Sequence, residues 1–248
     1  MTELVQYAVS GPRATITLDS PHNRNALSRQ LVTELVAHLE RAAGDPEVRV
    51  ALVRSSGRVF CSGADLAEAT ADGMEEGARR IVELQRLVVT MDKPVVTANL
   101  GAVRAGGIGI VAAADVAISA DDATFALTEV KLGLAAAIIS LTVHHRMHPR
   151  AAALTTLGGE VFTGAQAAAY GLVTTAVPAA DLDAEVDRVC ESLATGAPQG
   201  LRESKRILNA DLVARIDARG DEMAALSARL FASTQAREAM TAFLSRKG

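Results

Sequence analysis

Two stretches of small residues stand where a buried strand gives way to a loop, and both can offer bare backbone N–H groups to an anion. In the first, VRVALVRSSGRVFCSGADL, a β-branched run passes into Cys61, Ser62, Gly63, Ala64, Asp65 and Leu66. Gly63 and Ala64 let a ligand come close to the backbone, and an N–H at such a turn has no carbonyl ahead of it to bond. In the second, VVTANLGAVRAGGIGIVAAADVAIS, a strand meets Ala105, Gly106 and Gly107 and then a helix over residues 108–114. Its first N–H groups sit at the positive end of the helix dipole. The order of glycines fits neither a dinucleotide fingerprint, which also wants an acidic residue at ribose distance, nor a Walker loop. Either stretch alone would equally suit a loop that uses small residues only to turn.

Other reactive side chains point to less chemistry. His144, His145 and His148 lie beside Arg146 and Arg150, a spacing that reads as an exposed helix edge rather than a metal site, and no metal is expected. Glu68, Asp72, Glu75 and Glu76 read as a solvated helix face, as do the charges of LRESKRILNA and DLVARIDAR. Cys61 and Cys190 are far apart and lack partners at metal spacing, so both are read as reduced thiols, Cys61 as a small packing residue.

The elements that must position these loops follow from periodicity. Residues 5–18 alternate about Gly11-Pro12, the pattern of a hairpin. A helical period follows in Leu31, Leu35, Val36 and Leu39, with Ser28 as its N-cap. Buried strands are predicted at 48–53 and 94–99, then further strands at 115–119, 124–126 and 173–177, which sets up a repeated ββα cadence. From there the pattern is helical: 181–194, a helix opened by Pro198, and one long helix over 221–245. A boundary at residues 195–198 divides a core, 1–195, from a helical region, 196–248. Met223, Leu226, Leu230, Phe231, Met240, Phe243 and Leu244 form an apolar stripe there that suits contact with another subunit.

Composition narrows the partners. The net charge of −4 and an aromatic content of 3% give no basic surplus for phosphates and few rings for bases, which argues against nucleic acid. No run approaches the roughly 20 apolar residues of a membrane span. The N-terminus, MTELVQYAVSGPRATITLDS, shows neither a signal nor a transit pattern, so a cytoplasmic location is expected.

Taken together, FCSGADL and the AGG turn some forty residues later resemble the paired signature of the crotonase (enoyl-CoA hydratase/isomerase) superfamily. The likeness extends through RNALS, MDKPVVTANLGAVRAGG, FALTEVKLGL, TGAQAAAYGLVTTAV and AFLSRKG, nearly the whole chain. It implies an α/β spiral of ββα units with a helical C-terminal region, assembled as a homotrimer or a dimer of trimers. The implied ligand is an acyl-CoA thioester, with CoA part of the substrate and no further cofactor. By position, Ala64 and Gly106 match the two residues whose N–H groups form the family's oxyanion hole. Ser62, Gly63, Asp65 and Leu66 match the loop that holds the adenine, and Arg24 and Ala26 a region that contacts CoA. Phe243 and Arg246 match positions that complete a neighbour's CoA site.

The carboxylates depart from the two-glutamate pattern of the hydratases. Gly109 stands where the first Glu would be, whereas Glu129 in LTEVKLGL matches the second. TEVKLGL and GIG resemble a bacterial branch of enoyl-CoA hydratases, methylglutaconyl-CoA hydratases among them, that lacks the first Glu. Three readings follow: a hydratase with Glu129 as general acid and base, a Δ3,Δ2-enoyl-CoA isomerase using Glu129 alone, and a non-catalytic acyl-CoA-binding protein. Residues 135–139 are read as an apolar wall.

Overall fold

The chain, seen in a computed structural model that describes residues 2–65, 68 and 74–245, opens with the expected hairpin. Strands β1 (Val5–Ser10) and β2 (Arg13–Leu18) pair antiparallel from Val5↔Leu18 to Ser10↔Arg13. Gly11 turns the chain between them at φ +54°, a left-handed value that costs glycine little. Helix α1 (Arg29–Gly44) starts where the Ser28 side chain accepts the Leu31 N–H at 3.3 Å, and it buries Leu31, Val32, Leu35, Leu39 and Ala42. Glu34 holds the helix to β1 by accepting the N–H groups of Leu4 and Val5 at 2.6 and 2.9 Å.

The ββα cadence then repeats. Strand β3 (Val50–Ser55) is followed by β4 (Val59–Cys61) and helix α2 (Glu75–Thr90). Strand β5 (Val95–Asn99) is followed by β6 (Ala102–Arg104) and α3 (Gly106–Ala113). Strand β7 (Val116–Ala120) is followed by β8 (Thr124–Ala126), a 3₁₀ turn (Glu129–Leu132) and α4 (Ser140–Arg146). Helix α5 (Pro149–Gly158), β9 (Phe162–Thr163), α6 (Gly164–Ala169) and β10 (Thr175–Val177) close the series. The long strands build a six-stranded sheet in the order β1-β2-β3-β5-β7-β10, and the short ones a four-stranded sheet, β4-β6-β8-β9. Parallel neighbours need a crossover, and the helices supply it.

Burial on both faces explains the apolar stretches at residues 50–53 of β3 and 95–96 of β5. Ala51 and Val53 face the main core under α1 and α2, whereas Val50, Leu52, Val96 and Ile118 face Leu182, Val186 and Cys190 of α7 (Leu182–Ala194). Helix α8 (Pro198–Leu208) begins at its proline, as expected.

Three expectations need correction. The long helix over 221–245 is two helices, α9 (Ala210–Phe231) and α10 (Thr234–Ser245), because Ser233 Oγ takes the Ala236 N–H at 3.2 Å and starts a new helix. Met223 is not on an exposed stripe but buried, its sulfur 3.9 Å from Ser140 Oγ. The charges of LRESKRILNA are not all solvated either. Lys205 is buried, pairs with Asp115 at 2.8 Å, and donates to the carbonyls of Val88 at 2.8 Å and Lys93 at 2.9 Å. Asn209 adds bonds to Val89 O and Asp115 Oδ1 at 3.2 and 3.1 Å. The α8 face that carries Lys205 lies over otherwise open carbonyls, and the ammonium satisfies them. Among the described residues no helix is long and apolar enough to cross a membrane.

Candidate active site

Parallel pairing in the smaller sheet brings three loops to one edge. Cys61 of β4 pairs with Val103 of β6, and Arg104 of β6 with Ala126 of β8. Ser62-Gly63-Ala64, Ala105-Gly106 and Leu127-Thr128-Glu129 therefore leave adjacent strands at their carboxyl ends, the side on which parallel α/β sheets bind ligands.

The first loop is laced to the segment ahead of α1. Ser62 N–H donates to Arg24 O at 3.1 Å, Ser62 Oγ to Asn23 O at 3.2 Å, and Leu27 N–H to Gly63 O at 2.8 Å. Arg24 and Asn25 are left-handed at φ +58° and +53°. Asn25 is held there by a side chain that accepts from Ser20 N–H at 2.7 Å and donates to Val59 O at 2.8 Å. The backbone then swings through Gly63 at φ +100°, a value that disfavours any other residue. Of the positions matched to the CoA region, Arg24 is exposed and Ala26 buried, while Asp65 Oδ1 accepts the Glu68 N–H at 3.3 Å.

Strain shapes the second loop. Ala105 has φ +46° and ψ −119°, a conformation that costs a non-glycine residue about 1–3 kcal/mol. Its N–H reaches Ala126 O at 3.4 Å and its carbonyl accepts from Ile108 at 2.8 Å. The reversal makes Gly106 the first residue of α3, where an N–H has no acceptor within the helix. Among the described residues neither the Ala64 nor the Gly106 N–H has an acceptor.

Small residues let these loops touch. A Cβ on Gly63 would stand 2.9 Å from Ala105 Cβ, one on Gly107 2.6 Å from Cys61 Cβ, and one on Gly106 2.6 Å from Leu27 Cδ1. Cys61 is the small packing residue expected of it: burial pushes its thiol up to about 12, which keeps it a neutral thiol. Leu27 and Ile81, the side chains nearest the bare face of Gly106, also line a cavity of about 60 Å³ with Ala64, Val32, Met74 and Arg80. Ala64 lines that cavity, and Gly106 lies against two of its lining side chains. The acidic residues nearby are held: Glu68 accepts the Arg29 N–H at 2.8 Å, and Glu75 and Glu76 pair with Arg79 and Arg80 one turn on.

Glu129 opens the 3₁₀ turn after β8 and does not line that cavity. Among the described residues its buried Oε2 has no hydrogen-bond partner, and burial raises its carboxyl to about 7, against the smaller lowering effect of its own backbone N–H. Its carbonyl accepts from Leu134 N–H at 3.0 Å, and the chain continues as the apolar wall, with Ala136, Ala137, Ile138 and Ile139 buried. A carboxyl poised near neutrality in a desolvated place is the usual preparation of a proton-transfer group.

Gly109 has no space for a side chain: a Cβ there would meet Ile139 Cγ2 at 2.5 Å and Gln85 Oε1 at 3.2 Å. Gln85, in the charged helix α2, was not singled out by sequence, because what buries it lies far along the chain. Leu66, Asp72 and Arg246 fall outside the described residues, as does the side chain of Phe243. His144 and His145 lie in the last turn of α4, where burial lowers both. Among the described residues no group of His, Cys, Asp or Glu is arranged to hold a metal ion.

Two sheets built from repeated ββα units, followed by C-terminal helices, make the α/β crotonase fold. The chain matches the enoyl-CoA hydratase/isomerase family model over residues 12–248 and belongs to that family. It is 44% identical to an enoyl-CoA hydratase of Mycobacterium avium of known crystal structure, with a TM-score of 0.92 over 99% of this chain and 98% of that one. A second hydratase structure, from Mycobacterium avium subsp. paratuberculosis K-10, is 29% identical with a TM-score of 0.88, covering 98% and 96%. The (E)-benzylidenesuccinyl-CoA hydratase of Thauera aromatica is 30% identical over 206 residues, 82% of this chain and 80% of that protein.

Proposed function

We propose that this family member is an enoyl-CoA hydratase-like enzyme in which the N–H groups of Ala64 and Gly106 bind the thioester carbonyl and Glu129 carries the proton. The observation that carries this reading is that two N–H groups without an acceptor among the described residues sit on touching loops, with a desolvated carboxyl at the same sheet edge. Electron density moves onto the thioester oxygen as the bond to C2 changes, and preorganised donors stabilise it there. In hydration, Glu129 takes a proton from water as the hydroxyl adds to C3, then returns one to C2. The adenine end of CoA lies along Ser62, Gly63, Asp65 and Leu66, with Arg24 and Ala26 beside it. Residues 196–248 join subunits into a homotrimer or a dimer of trimers, and Phe243 and Arg246 complete a neighbour's CoA site.

A second reading, Δ3,Δ2-enoyl-CoA isomerisation, is favoured by the absence of room for a side chain at Gly109, which leaves Glu129 as the one carboxylate assigned to the reaction. Incubation with crotonyl-CoA, 3-methylglutaconyl-CoA and a 3-enoyl-CoA separates the two by product, hydroxyacyl thioester or shifted double bond. Binding of all three with no turnover would instead make the chain a non-catalytic acyl-CoA-binding protein.

A further inference from the structure

The start of α2 turns one face to the cavity that Ala64 lines. Met74, its N-cap, is followed by Gly77, Arg80 and Ile81 at the three- and four-residue steps of a single helix side, and all four line that space. Gly77 leaves the face open. Outside the helix backbone, and among the described residues, a Cβ there would meet only Met74 Sδ, at 3.8 Å. One turn on, Ile81 reaches toward the oxyanion loop, its Cδ1 4.0 Å from where a Cβ on Gly106 would stand. Arg80 is its neighbour on the same wall.

Five charged residues line this cavity, and they are not equivalent. Glu68 accepts the Arg29 N–H at 2.8 Å, and Asp65 the Glu68 N–H at 3.3 Å. Arg29 is exposed and the Glu76 side chain is 71% exposed, so water screens both. Arg80 is different, at 21%. Its one ion pair among the described residues is with Glu76, one turn back on the same helix. Such a pair is weak, because the carboxylate keeps its water and two long side chains must be held in one geometry. The cavity wall thus carries a largely desolvated cation whose partner is easily given up. A guanidinium stays charged, and its fork of N–H donors matches a carboxylate at two points.

We propose that Arg80 is a specificity-determining residue that takes a carboxylate at the far end of the acyl group, so that a dicarboxylic acyl-CoA is preferred over an alkyl thioester of the same length. The inference rests on the thioester being held at Ala64, as proposed above. From there the acyl chain enters the cavity past the hydrocarbon of Leu27 and Ile81, and its terminal carboxylate replaces Glu76 at the guanidinium. Glu76 turns out into water at little cost. An alkyl terminus gains no such partner, and it would cover a charge without satisfying it.

The test measures affinity by calorimetry. Adipyl-CoA and hexanoyl-CoA match in length and have no double bond to react, so they report recognition without turnover. The unaltered protein should bind adipyl-CoA about tenfold more tightly, the usual worth of a hydrogen bond to a charged group. Arg80→Met should bring the ratio to about one. Glu76→Gln keeps the shape of the wall and removes the competing charge, so it should raise the ratio about threefold, which keeps the test available if Arg80→Met does not fold. A ratio near one in the unaltered protein, or a preference that either substitution leaves unmoved, would overturn the inference alone. If neither thioester binds, the placement of the thioester at Ala64 falls, and this inference with it.

Discussion

Gly63 and Ala105 approach so closely that a Cβ on Gly63 would stand 2.9 Å from Ala105 Cβ. The residue after each carries one of the two N–H groups assigned to the thioester oxygen, so this contact sets their separation. Gly63→Ala must part the loops and also strain a backbone at φ +100°. Loss of about 10²–10³ in kcat/KM is expected, the usual worth of one oxyanion donor. Steady-state kinetics checked against Tm separates this loss from unfolding.

Glu129→Gln keeps the shape of the site and removes the proton carrier. Turnover should fall about 10²–10⁴-fold, while acyl-CoA affinity measured by calorimetry stays within a fewfold of the parent. Unchanged turnover would remove Glu129 from the mechanism.

The raised carboxyl of Glu129 makes activity and stability run in opposite directions with pH. As a base it must be ionised, so kcat/KM should rise through about pH 7 and level off. Stability behaves otherwise. Between its ordinary 4.5 and about 7 the folded state holds a proton that the unfolded chain has released. The stabilising contribution is complete below that window and is lost as pH climbs through it, with a cost of about 3 kcal/mol above. Urea unfolding at pH 5 and pH 8 should show Glu129→Gln to be more stable than the parent at the higher pH, with the difference shrinking at the lower.

Lys205 and Asp115 form a buried pair, 6% and 19% exposed at their side chains. Lys205→Met would leave the Asp115 carboxylate without its cation and two backbone carbonyls without their donor. A loss of about 3–5 kcal/mol is expected, measured by denaturant unfolding. A loss below 1 kcal/mol would show that α8 is held by other contacts.

Local rules carried much of the fold. The hairpin turn at Gly11, the Ser28 cap and the small residues at the two loops were legible because each follows from sterics within a few residues. Lys205 was misread because its partners, Asp115 and the carbonyls of Val88 and Lys93, come from distant parts of the chain. Met223 kept the expected helical period, but periodicity says that a face packs and not on what. The break after Phe231 carries no glycine or proline; it comes from Ser233 capping and from α10 settling on the Glu129 turn, where Gly133 lies against Gln235 and Ala236. At the site, Glu129 was found through the resemblance, whereas the filling of Gly109 by Ile139 became visible only once helices far apart in sequence were packed.

The most direct measurement is a crystal structure of the protein with a slowly reacting acyl-CoA thioester. The thioester oxygen should lie about 2.7–3.1 Å from both the Ala64 and the Gly106 nitrogen, with Glu129 on the side of C2. A thioester bound with its oxygen turned away from these nitrogens, or touching only one of them, would contradict the assignment on which the chemistry depends.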